Sequence, residues 1–471
     1  MNESAGGILD VVVGLAYLVA ASLFIVGLKR LSSPRTARRG NLLGAIGMLI
    51  AIVATLLNQE IVSFTWIVAG ILIGSAIGLW LAKNVKMTSM PQMVALLNGF
   101  GGGASQLVAG DEYLRYAAGT ISPSLDVQTT IMLSVIIGAI TFSGSIIAFA
   151  KLQEWVSGKT VVLPGQRFWA FAMFMVMLGI GGWLVIQPAD MTLYIALNAI
   201  ALVMGIFFVM PIGGADMPVV ISLLNSYSGL AAAMTGFVLK NNGLIISGAL
   251  VGASGIILTK IMCDAMNRSL PNVLFGAFAG KTMGGGGPAA SAEGKTYRSV
   301  GPQDAALLLA YARKVIFVPG YGLAVSQAQH QVREIGEMLQ ARGIDVSYAI
   351  HPVAGRMPGH MNVLLAEANV PYPQLIEMDQ INQDFEHTDV AVVIGANDVV
   401  NPAARHDKSS PIYGMPILDV DKAQTVVVLK RSMATGFAGI DNELFYDEKT
   451  RMLFGDARKS LLAVIQELKN V

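Results

Sequence analysis

The chain has 471 residues, of which 54% are hydrophobic and only 13% are charged. Soluble domains carry about 25% charged residues, so this composition is that of a membrane protein diluted by a soluble part. The net charge of +1 predicts no nucleic-acid partner. The single cysteine, Cys263, excludes an intramolecular disulfide and a cysteine-built zinc site, and we predict no metal site.

The first half of the chain contains nine long apolar segments. They cover residues 8–28, 41–58, 62–82, 90–110, 128–150, 168–187, 191–210, 217–239 and 243–262. Each is long enough to cross a bilayer as a helix. Four glycines (Gly99, Gly101, Gly102 and Gly103) interrupt the fourth, which spans tolerate where neighbouring helices pack closely. The first segment is too long for the core of a cleaved signal peptide and lacks a basic region before it.

Basic residues in the connecting loops indicate an orientation. The loop at 29–39 is rich in lysine and arginine, and further bases fall on the same side in a nine-span count: Lys83, Lys86, Lys151, Lys159, Arg167 and Arg268. The positive-inside rule places this side in the cytoplasm and the N-terminus outside. An odd number of spans then delivers the C-terminal half to the cytoplasm, where dinucleotides are found.

The eighth and ninth segments carry unusual polar and small residues. Asp216 precedes the eighth, in which Ser222, Asn225, Ser226 and Gly229 share one helical face. The ninth repeats small residues at Gly248, Gly252 and Gly255, a spacing that lets helix backbones approach closely, with Ser254 beside them.

Each polar residue has a structural alternative. The serines can bond back to carbonyls of their own helix, and Asp216 can be an interfacial loop carboxylate in contact with water. Asn225 is different, because an amide within a span needs partners for both ends. Asn98, before the glycine cluster, is a further polar candidate. Since no span carries a row of arginines or a potassium-type filter, a thin path of amides, hydroxyls and water favours proton movement.

A composition change separates the two halves. Residues 276–300 include four consecutive glycines at 284–287, which are typical of a flexible tether. No strand precedes these glycines, so they do not form a phosphate loop. The sequence therefore predicts a multi-span α-helical membrane domain (1–263), a flexible linker (264–302) and a C-terminal α/β Rossmann-like domain (303–471).

The C-terminal half opens with a βαβ pattern. A short helix at 302–312 and a strand at 314–318 precede Gly320 and Gly322. One amphipathic helix follows, with Val325, Ala328, Val332, Ile335 and Leu339 on its apolar face, and Gly343 ends it. Strands are predicted at 345–350, 389–394 and 424–429, and a last helix at 460–469.

The strand, glycine turn, helix and second strand together predict a dinucleotide site. Gly320 allows the tight turn, and Gly322 lets backbone N–H groups meet the pyrophosphate, while Ala324 and Val325 occupy the region of the usual third glycine. His351 fits a place near the phosphates or a structural role equally well.

The ends of two strands favour NADP(H) over NAD(H). An NAD site usually presents an acid after the second strand, whereas this chain has no acid there before Glu367 and offers Arg356, which can pair with a 2′-phosphate. A second basic cluster, Lys430 and Arg431 with Ser432, follows the 424–429 strand; a solvated basic loop is the alternative. Asp398 lies where a carboxylate can sense the charge of a nicotinamide, or it forms a plain Asx turn.

Six segments resemble the beta subunit of proton-translocating nicotinamide nucleotide transhydrogenase. They are GYGLAVSQAQ (320–329), VAGRMPGHMNVLLAEA (353–368), IGANDVVNPA (394–403), KRSM (430–433), PIGGADMP (211–218) and LLNSYSG (223–229). The resemblance covers nearly the whole chain. It implies reversible hydride transfer between NADH and NADP⁺, coupled to proton translocation.

The resemblance also implies roles for individual residues. Asp398 is expected near the nicotinamide, and Asn225, Asp216 and Ser254 match positions implicated in proton conduction or coupling. Some family members have histidine in place of Asn98, and asparagine cannot carry a proton, which leaves Asn98 a water-holding role. With the glycine turn, the expected NADP(H) contacts are Gly320, Tyr321, Gly322, Ala324, Val325, Val353, Ala354, Gly355, Arg356, Met357, Pro358, Gly395, Ala396, Asn397, Asp398, Val399, Gly414, Met415, Lys430, Arg431, Ser432, Met433, Ala434, Thr435, Gly436, Phe437, Asp456 and Ala457.

A partner is implied as well. The sequence has one nucleotide fingerprint, and the family's NAD(H) domain lies on an alpha subunit of one or two chains, in a dimer of alpha-beta units. The expected location is the bacterial inner membrane, with the C-terminal domain in the cytoplasm. The alternative from the residues alone is a secondary transporter or channel whose cytoplasmic domain senses dinucleotide.

Overall fold

A computed structural model describes residues 2–31, 34–57, 64–156, 161, 164–187, 190–213, 216–267, 269–275, 296–357, 359–408, 410, 412–436 and 438–471. The predicted contacts Pro358 and Phe437, the loop bases Lys159 and Arg268 and linker residues 276–295 lie outside the described residues. The chain divides into two compact units. One comprises Met1–Gly214 and Val220–Thr259, and the other comprises Ala215–Val219 and Lys260–Val471.

Nine long helices, counted over the described residues, occupy the predicted apolar segments. They are α1 (Asn2–Leu31), α2 (Pro34–Leu56), α3 (Thr65–Asn84), α4 (Met90–Ala117), α5 (Leu125–Leu152), α6 (Gln166–Ile186), α7 (Met191–Val209), α8 (Met217–Val238) and α9 (Asn242–Ala265). Within that described part, eight are long and apolar enough to cross a membrane, all except α4. The chain is a multi-pass membrane protein, as predicted.

Helix α4 runs antiparallel to α5 over its whole length. Near its start, Gln92 Nε2 donates to Leu152 O at 3.1 Å, at the end of α5. Further along, Gly102 lies against Thr141, and Ser105 O lies 3.4 Å from Ser134 Oγ. Both helices have 28 residues, or about 42 Å. Helix α4 therefore accompanies the apolar α5 throughout, despite its glycines and polar residues.

Helices α5 and α8 form the interior of the helical part. In their apolar windows 67% and 61% of residues are buried, against 22% or less in the other candidate spans. Large apolar side chains elsewhere are exposed, among them Leu72 and Trp80 of α3 and Phe171 of α6. Such surfaces are typical of helices that face lipid or another transmembrane helix.

Lys151 does not lie in a solvated loop as its place among the loop bases predicts. It occupies the last turn of α5 with only 3% of its surface exposed. Its Nζ donates to Met210 O at 2.5 Å and to Ile212 O at 2.9 Å. Met210 is the C-cap of α7, where unpaired carbonyls and the helix dipole attract a cation. Lys151 therefore closes the end of α7.

The C-terminal part is a doubly wound α/β fold. Its strands are β1 (Lys314–Pro319), β2 (Asp345–Ile350), β3 (Leu375–Glu377), β4 (Val390–Ile394), β5 (Thr425–Lys430) and β6 (Thr450–Phe454). All neighbours pair in parallel in the order β3-β2-β1-β4-β5-β6. The helices are α10 (Leu270–Phe275), α11 (Pro302–Ala310), α12 (Tyr321–Ser326), α13 (Gln329–Ala341), α14 (His360–Glu367), α15 (Met378–Ile381), α16 (Ala403–His406) and α17 (Ala457–Asn470). This is the Rossmann-like order, as predicted.

The core of this fold consists of apolar side chains on the central strands. Ile316, Val393 and Val428 lie on β1, β4 and β5 and are fully buried, and Phe385 and Phe445 pack into the same cluster. Parallel sheets covered on both faces need such continuous apolar strands. These strands are therefore continuous runs of Val and Ile that are buried on both faces of the sheet, and they do not alternate polar and apolar residues.

Several details differ from the sequence-based expectation. The single amphipathic helix is wrong: Gln327 adopts a left-handed conformation (φ 51°) and separates α12 from α13. Val325 is consequently 42% exposed, whereas Ala328, Val332, Ile335 and Leu339 are buried as expected. Gly343, with φ +82°, follows the C-cap Arg342 and ends α13 as expected. The two edge strands, β3 and β6, are not among the predicted strands.

Candidate functional site

The carboxyl ends of the central strands converge at one edge of the sheet. The strand order reverses between β1 and β4, and ligands of such sheets bind in the crevice at that point. The loops that follow β1, β2, β4 and β5 begin at Gly320, His351, Gly395 and Arg431. These loops contain most of the predicted NADP(H) contacts, so the topology brings them to one edge.

The glycine turn after β1 packs on the loop after β4. Gly320 N–H donates to Ile394 O at 2.9 Å, and Gly322 N–H donates to Gly395 O at 3.0 Å. A Cβ on Gly320 would lie 2.4 Å from Ala396 N, so only glycine permits this approach. The Gly395 carbonyl accepts the N–H of Gly322, so any backbone N–H groups that meet a pyrophosphate here belong to neighbouring residues of the turn. Ala324 is fully buried behind the turn.

The loop after β2 presents a cation above an aromatic ring. Arg356 Cζ lies 4.4 Å from the centroid of the Tyr321 ring. The backbone N–H of Arg356 donates to His360 Nδ1 at 3.1 Å. Gly355 (φ +109°) turns the chain directly against the His360 ring. This loop, which also contains Val353, Ala354 and Met357, therefore holds its arginine at the crevice by a cation–π contact.

His351 has a structural role. Its Nδ1 accepts the N–H of Val353 at 3.2 Å, so the proton lies on Nε2, which is 2.8 Å from Pro416 O. Burial lowers the pKa of His351 to about 4, against weaker opposing effects of that hydrogen bond and of Asp379. Of the two roles that the sequence left open, the structure supports the structural one. The ring also ties the β2 loop to the loop containing Gly414 (φ +79°) and Met415.

The loop after β5 folds back over the end of β4. Lys430 Nζ donates to Ala434 O and lies 4.7 Å from the centroid of the Phe445 ring. Burial lowers the pKa of Lys430, while Asp398 and Asp441 act in the opposite direction. Arg431 and Ser432 are exposed at the same loop. Lys430 therefore shapes the loop, whereas Arg431 is accessible to a ligand.

Asp398 lies under this loop. Its Oδ2 accepts the N–H of Ala438 at 2.9 Å. A Cβ on Gly436 would lie 2.6 Å from Asp398 Oδ1 and 2.4 Å from Asn397 Nδ2, so Gly436 lets the loop approach closely. The segment that also contains Met433 and Thr435 thus covers the carboxylate. The carboxylate of Asp398 thus has a contact with a residue 40 positions later in the chain, beyond what an Asx turn provides.

The remaining predicted contacts lie at the ends of β4 and β6. Ala396 is buried behind the glycine turn, and Val399 O accepts the N–H of Leu418 at 3.0 Å. Asp456 caps α17, where its side chain accepts the N–H of Lys459 at 3.2 Å, and Ala457 is the first residue of that helix. Both follow β6 at the same edge of the sheet.

Sequence reasoning missed the residues that support these loops. The amide of Asn442, which is 1% exposed, donates to Asn397 O at 3.0 Å and to Asn397 Oδ1 at 3.1 Å. The amide of Asn401 donates to Asp441 O at 2.9 Å. Asn401 lies within the 394–403 segment and Asn442 lies in none of the quoted segments, and no periodicity shows the role of either, because each acts through a partner about 40 residues away.

In the helical part, α8 and α9 pack backbone to backbone. Ser226 Oγ donates to Gly252 O at 2.7 Å, and Ser222 Oγ donates to Gly255 O at 3.2 Å. A Cβ on Gly229 would lie 2.3 Å from Gly252 N. The predicted close approach of small residues is confirmed. Ser222 and Ser226 bond across the interface, however, and not to their own helix as the alternative interpretation proposed.

The other predicted membrane residues are not all gathered at one place. Asn98 Nδ2 on α4 donates to Ile221 O of α8 at 3.4 Å, one turn before the half-buried Asn225. Ser254 bonds to its own helix, at Val251 O (3.0 Å). Asp216 is half-buried immediately before α8 and belongs to the other compact unit. The structure therefore brings Asn98 and Asn225 to one level of α8.

Comparison with known proteins agrees with this organisation. The family model described as NAD(P) transhydrogenase beta subunit matches residues 13–467. Two proteins of Rhodospirillum rubrum, each named NAD(P) transhydrogenase subunit beta, are 52% identical to this chain over 460 residues, which is 96% of this chain and 98% of each relative. This chain therefore belongs to the NAD(P) transhydrogenase beta-subunit family.

Proposed function

We propose that this chain binds NADP(H) and couples reversible hydride transfer between NADH and NADP⁺ to proton translocation across the membrane. The observation that carries the nucleotide part is the edge of the sheet where Arg356, Asp398 and Arg431 follow β2, β4 and β5. No acid follows β2 to bind ribose hydroxyls as in an NAD site, and two loops offer guanidinium groups.

The sheet order separates the two basic loops. β2 and β5 lie three strand spacings apart, or about 14 Å. We propose that one of these loops binds the 2′-phosphate. Arg356 is held over the Tyr321 ring, whereas Arg431 is exposed. We therefore assign the 2′-phosphate to Arg431 and Ser432, with Lys430 fixing the loop and Arg356 binding another part of the ligand.

Asp398 supplies a carboxylate whose interaction with the nucleotide depends on the charge of the nicotinamide ring. Bound NADP⁺ supplies a positively charged nicotinamide that becomes neutral when it accepts hydride, and a nearby carboxylate interacts differently with the two forms. Gly436 lies close to Asp398, the N–H of Ala438 donates to its carboxylate, and Lys430 interacts with the same carboxylate electrostatically. A change in the protonation of Asp398, or in the nucleotide bound beside it, therefore alters the position of the loop that holds the nucleotide.

The membrane part of the proposal rests on Asn225, with Asn98, Asp216 and Ser254. Asn98 and Asn225 act at one level of α8, as amides that hold water rather than as titrating groups. Protonation in the membrane shifts the nucleotide domain between states of different NADP(H) affinity. Such a shift requires differential affinity for those two states.

The second nucleotide is proposed to come from a partner. The relatives are named as beta subunits, and this chain has one dinucleotide fold among its described residues. We propose an alpha subunit of one or two chains that binds NAD(H), in a dimer of alpha-beta units. The family resemblance favours a bacterial inner membrane, and the loop bases favour a nucleotide domain in the cytoplasm and an N-terminus outside.

The membrane role is tested with Asn225→Ala. In proteoliposomes that contain the chain and its alpha partner, hydride transfer and proton uptake are measured together. We expect slowed or uncoupled transhydrogenation. The matched control is Asn84→Ala, because Asn84 is an exposed amide at the end of α3 that bonds only to its own helix, at Trp80 O. Full activity with full proton pumping in Asn225→Ala would remove Asn225 from the path.

Family membership favours an enzyme over a transporter or channel with a dinucleotide-sensing domain. Hydride transfer separates the two functions directly. If the chain and an NAD(H)-binding partner transfer no hydride from NADH to NADP⁺ while the chain still binds NADP(H), the sensing function is correct and the enzymatic proposal is wrong.

A further inference from the structure

Helix α8 is packed on two faces. One face, with Ser222, Ser226 and Gly229, lies against α9. The other lies against α4 and α5: Ile221 O accepts from Asn98, and Ala231 and Thr235 contact Ser134 of α5. The helix is thus held between two sets of partners.

Asn225 lies at the boundary between these faces. Successive residues of a helix are about 100° apart around its axis. If the direction of Ser222 around the axis is taken as 0°, Ser226 and Gly229 point within about 40° of it. Ile221, Ala231 and Thr235 then point between about −100° and −180°. Asn225 then falls at about −60°. Its amide therefore points into the seam where α9 and the α4–α5 pair meet on α8.

Two hydroxyls hold the second face. Ser134 Oγ and Thr235 Oγ1 are 2.9 Å apart, and either can donate. Thr235 Oγ1 also lies 2.9 Å from Ala231 O, and Ser134 Oγ lies 3.4 Å from both Ser105 O and Ala231 O. Ser134 is fully buried, and Thr235 is 4% exposed. This hydroxyl pair joins α4, α5 and α8 at a single point.

The opposite face is held by the hydrogen bonds of Ser222 and Ser226 to α9 and by direct backbone contact of Gly229 with α9. The hydroxyl pair of Ser134 and Thr235 is a separate attachment on the other side of the helix. A rotation of α8 about its axis separates Thr235 from Ser134. It also carries Asn225 out of the seam, because both residues belong to one rigid helix.

We propose that Ser134 and Thr235 are positioning residues that set the rotation of α8 and so keep Asn225 in the seam. This inference rests on the proposed proton-coupling function. The pair does not touch Asn225, since Thr235 lies ten residues further along, or about 15 Å. Its effect on coupling passes through the orientation of the helix.

The test uses Thr235→Val and Ser134→Ala in the full chain, in proteoliposomes with the alpha partner. Protons moved per hydride transferred and the uncoupled rate of hydride transfer are measured. We expect the proton-to-hydride ratio to fall at least threefold in each variant, while uncoupled hydride transfer stays within twofold. Thr235→Ser, which keeps the hydroxyl, should restore the ratio. The double variant should lose no more than either single variant, because both changes break one bond.

The matched control is Thr141→Val. Thr141 is fully buried on α5, and its hydroxyl bonds to its own helix at Ile137 O (2.7 Å). This variant should keep the ratio. An unchanged ratio in Thr235→Val and Ser134→Ala overturns the proposal, and so does an equal fall in Thr141→Val. If Thr235→Val does not assemble, the ratio in Ser134→Ala tests the proposal alone.

Asn225→Ala is measured in parallel, so that failure of the proposed function and failure of the positioning role can be told apart. If Asn225→Ala keeps full proton pumping, the proposed function is wrong. If Asn225→Ala loses pumping while Thr235→Val and Ser134→Ala keep it, only the positioning role is wrong.

Discussion

Arg431→Ala is expected to weaken NADP(H) binding selectively. Arg431 is exposed on the loop after β5, so its truncation removes a charge without opening a cavity. Lys430 is less suitable, because it bonds to Ala434 O and lies over the Phe445 ring, and its removal also disturbs the loop. The expected loss therefore reports the contact with the ligand.

The size of the effect follows from the bond that is removed. Hydrogen bonds to charged groups contribute about 1.5–3 kcal/mol. Since every 1.4 kcal/mol is a factor of ten in affinity, the Kd for NADPH should rise by about 10- to 100-fold. NADH lacks the 2′-phosphate, and its Kd should change by less than about twofold. Raised salt should reduce the difference, because the exposed charge is screened.

Isothermal titration calorimetry of the detergent-solubilised full chain with NADPH and with NADH measures both constants. Arg313→Ala is the matched control. Arg313 is 89% exposed in its side chain and precedes β1, at the opposite edge of the sheet. The Arg313→Ala substitution removes the same charge from the same fold and should leave the Kd values for NADPH and NADH unchanged. Equal losses of NADPH and NADH affinity in Arg431→Ala would refute the assignment of the 2′-phosphate.

Two further predictions concern packing and pH. Gly229→Ala places a methyl group 2.3 Å from Gly252 N and should lower stability by about 1–3 kcal/mol, read as a lower thermal midpoint. Gly179→Ala, which meets nothing within 4 Å, is its control, and equal midpoints would contradict the close contact. The folded-state pKa of His351 (about 4) lies below the unfolded value of about 6.5. The neutral ring therefore contributes about 3 kcal/mol to the free energy of unfolding above pH 6.5, and this contribution is lost as the pH falls towards 4. His351→Gln should flatten the pH dependence of the thermal midpoint in that window, whereas the exposed His330→Gln should not; identical slopes for His351→Gln and the parent protein would contradict the buried neutral ring.

The sequence was sufficient for the elements whose signal is local. Long apolar runs predict helices wherever they occur, because every backbone polar group in a bilayer must be bonded within the segment. The βαβ pattern around Gly320 and Gly322 likewise predicts the Rossmann-like fold, since the tight turn, the apolar strands and the Gly343 helix end are all short-range features.

Other elements depend on partners that are distant in sequence. β3 has only three residues and forms because β2 offers it a pairing edge. The helix break at Gln327 is invisible to periodicity, because Ala328, Val332, Ile335 and Leu339 are buried on either reading. Lys151 looks like a loop base, yet carbonyls of Met210 and Ile212 accept its ammonium group inside the protein.

The same distinction applies to the site. The sequence by itself determined a membrane bundle joined to one dinucleotide fold, and it named the residues at the strand ends. Only the tertiary structure decided which of them are exposed and which bond within the protein: Lys430 bonds to its own loop while Arg431 is exposed, and the N–H of Gly322 donates to Gly395 O. It also decided that Ser222 and Ser226 bond to α9 and that Ser134 meets Thr235. Composition and periodicity fix what a residue can do, but the partner of a hydrogen bond is set by packing between segments far apart in the chain.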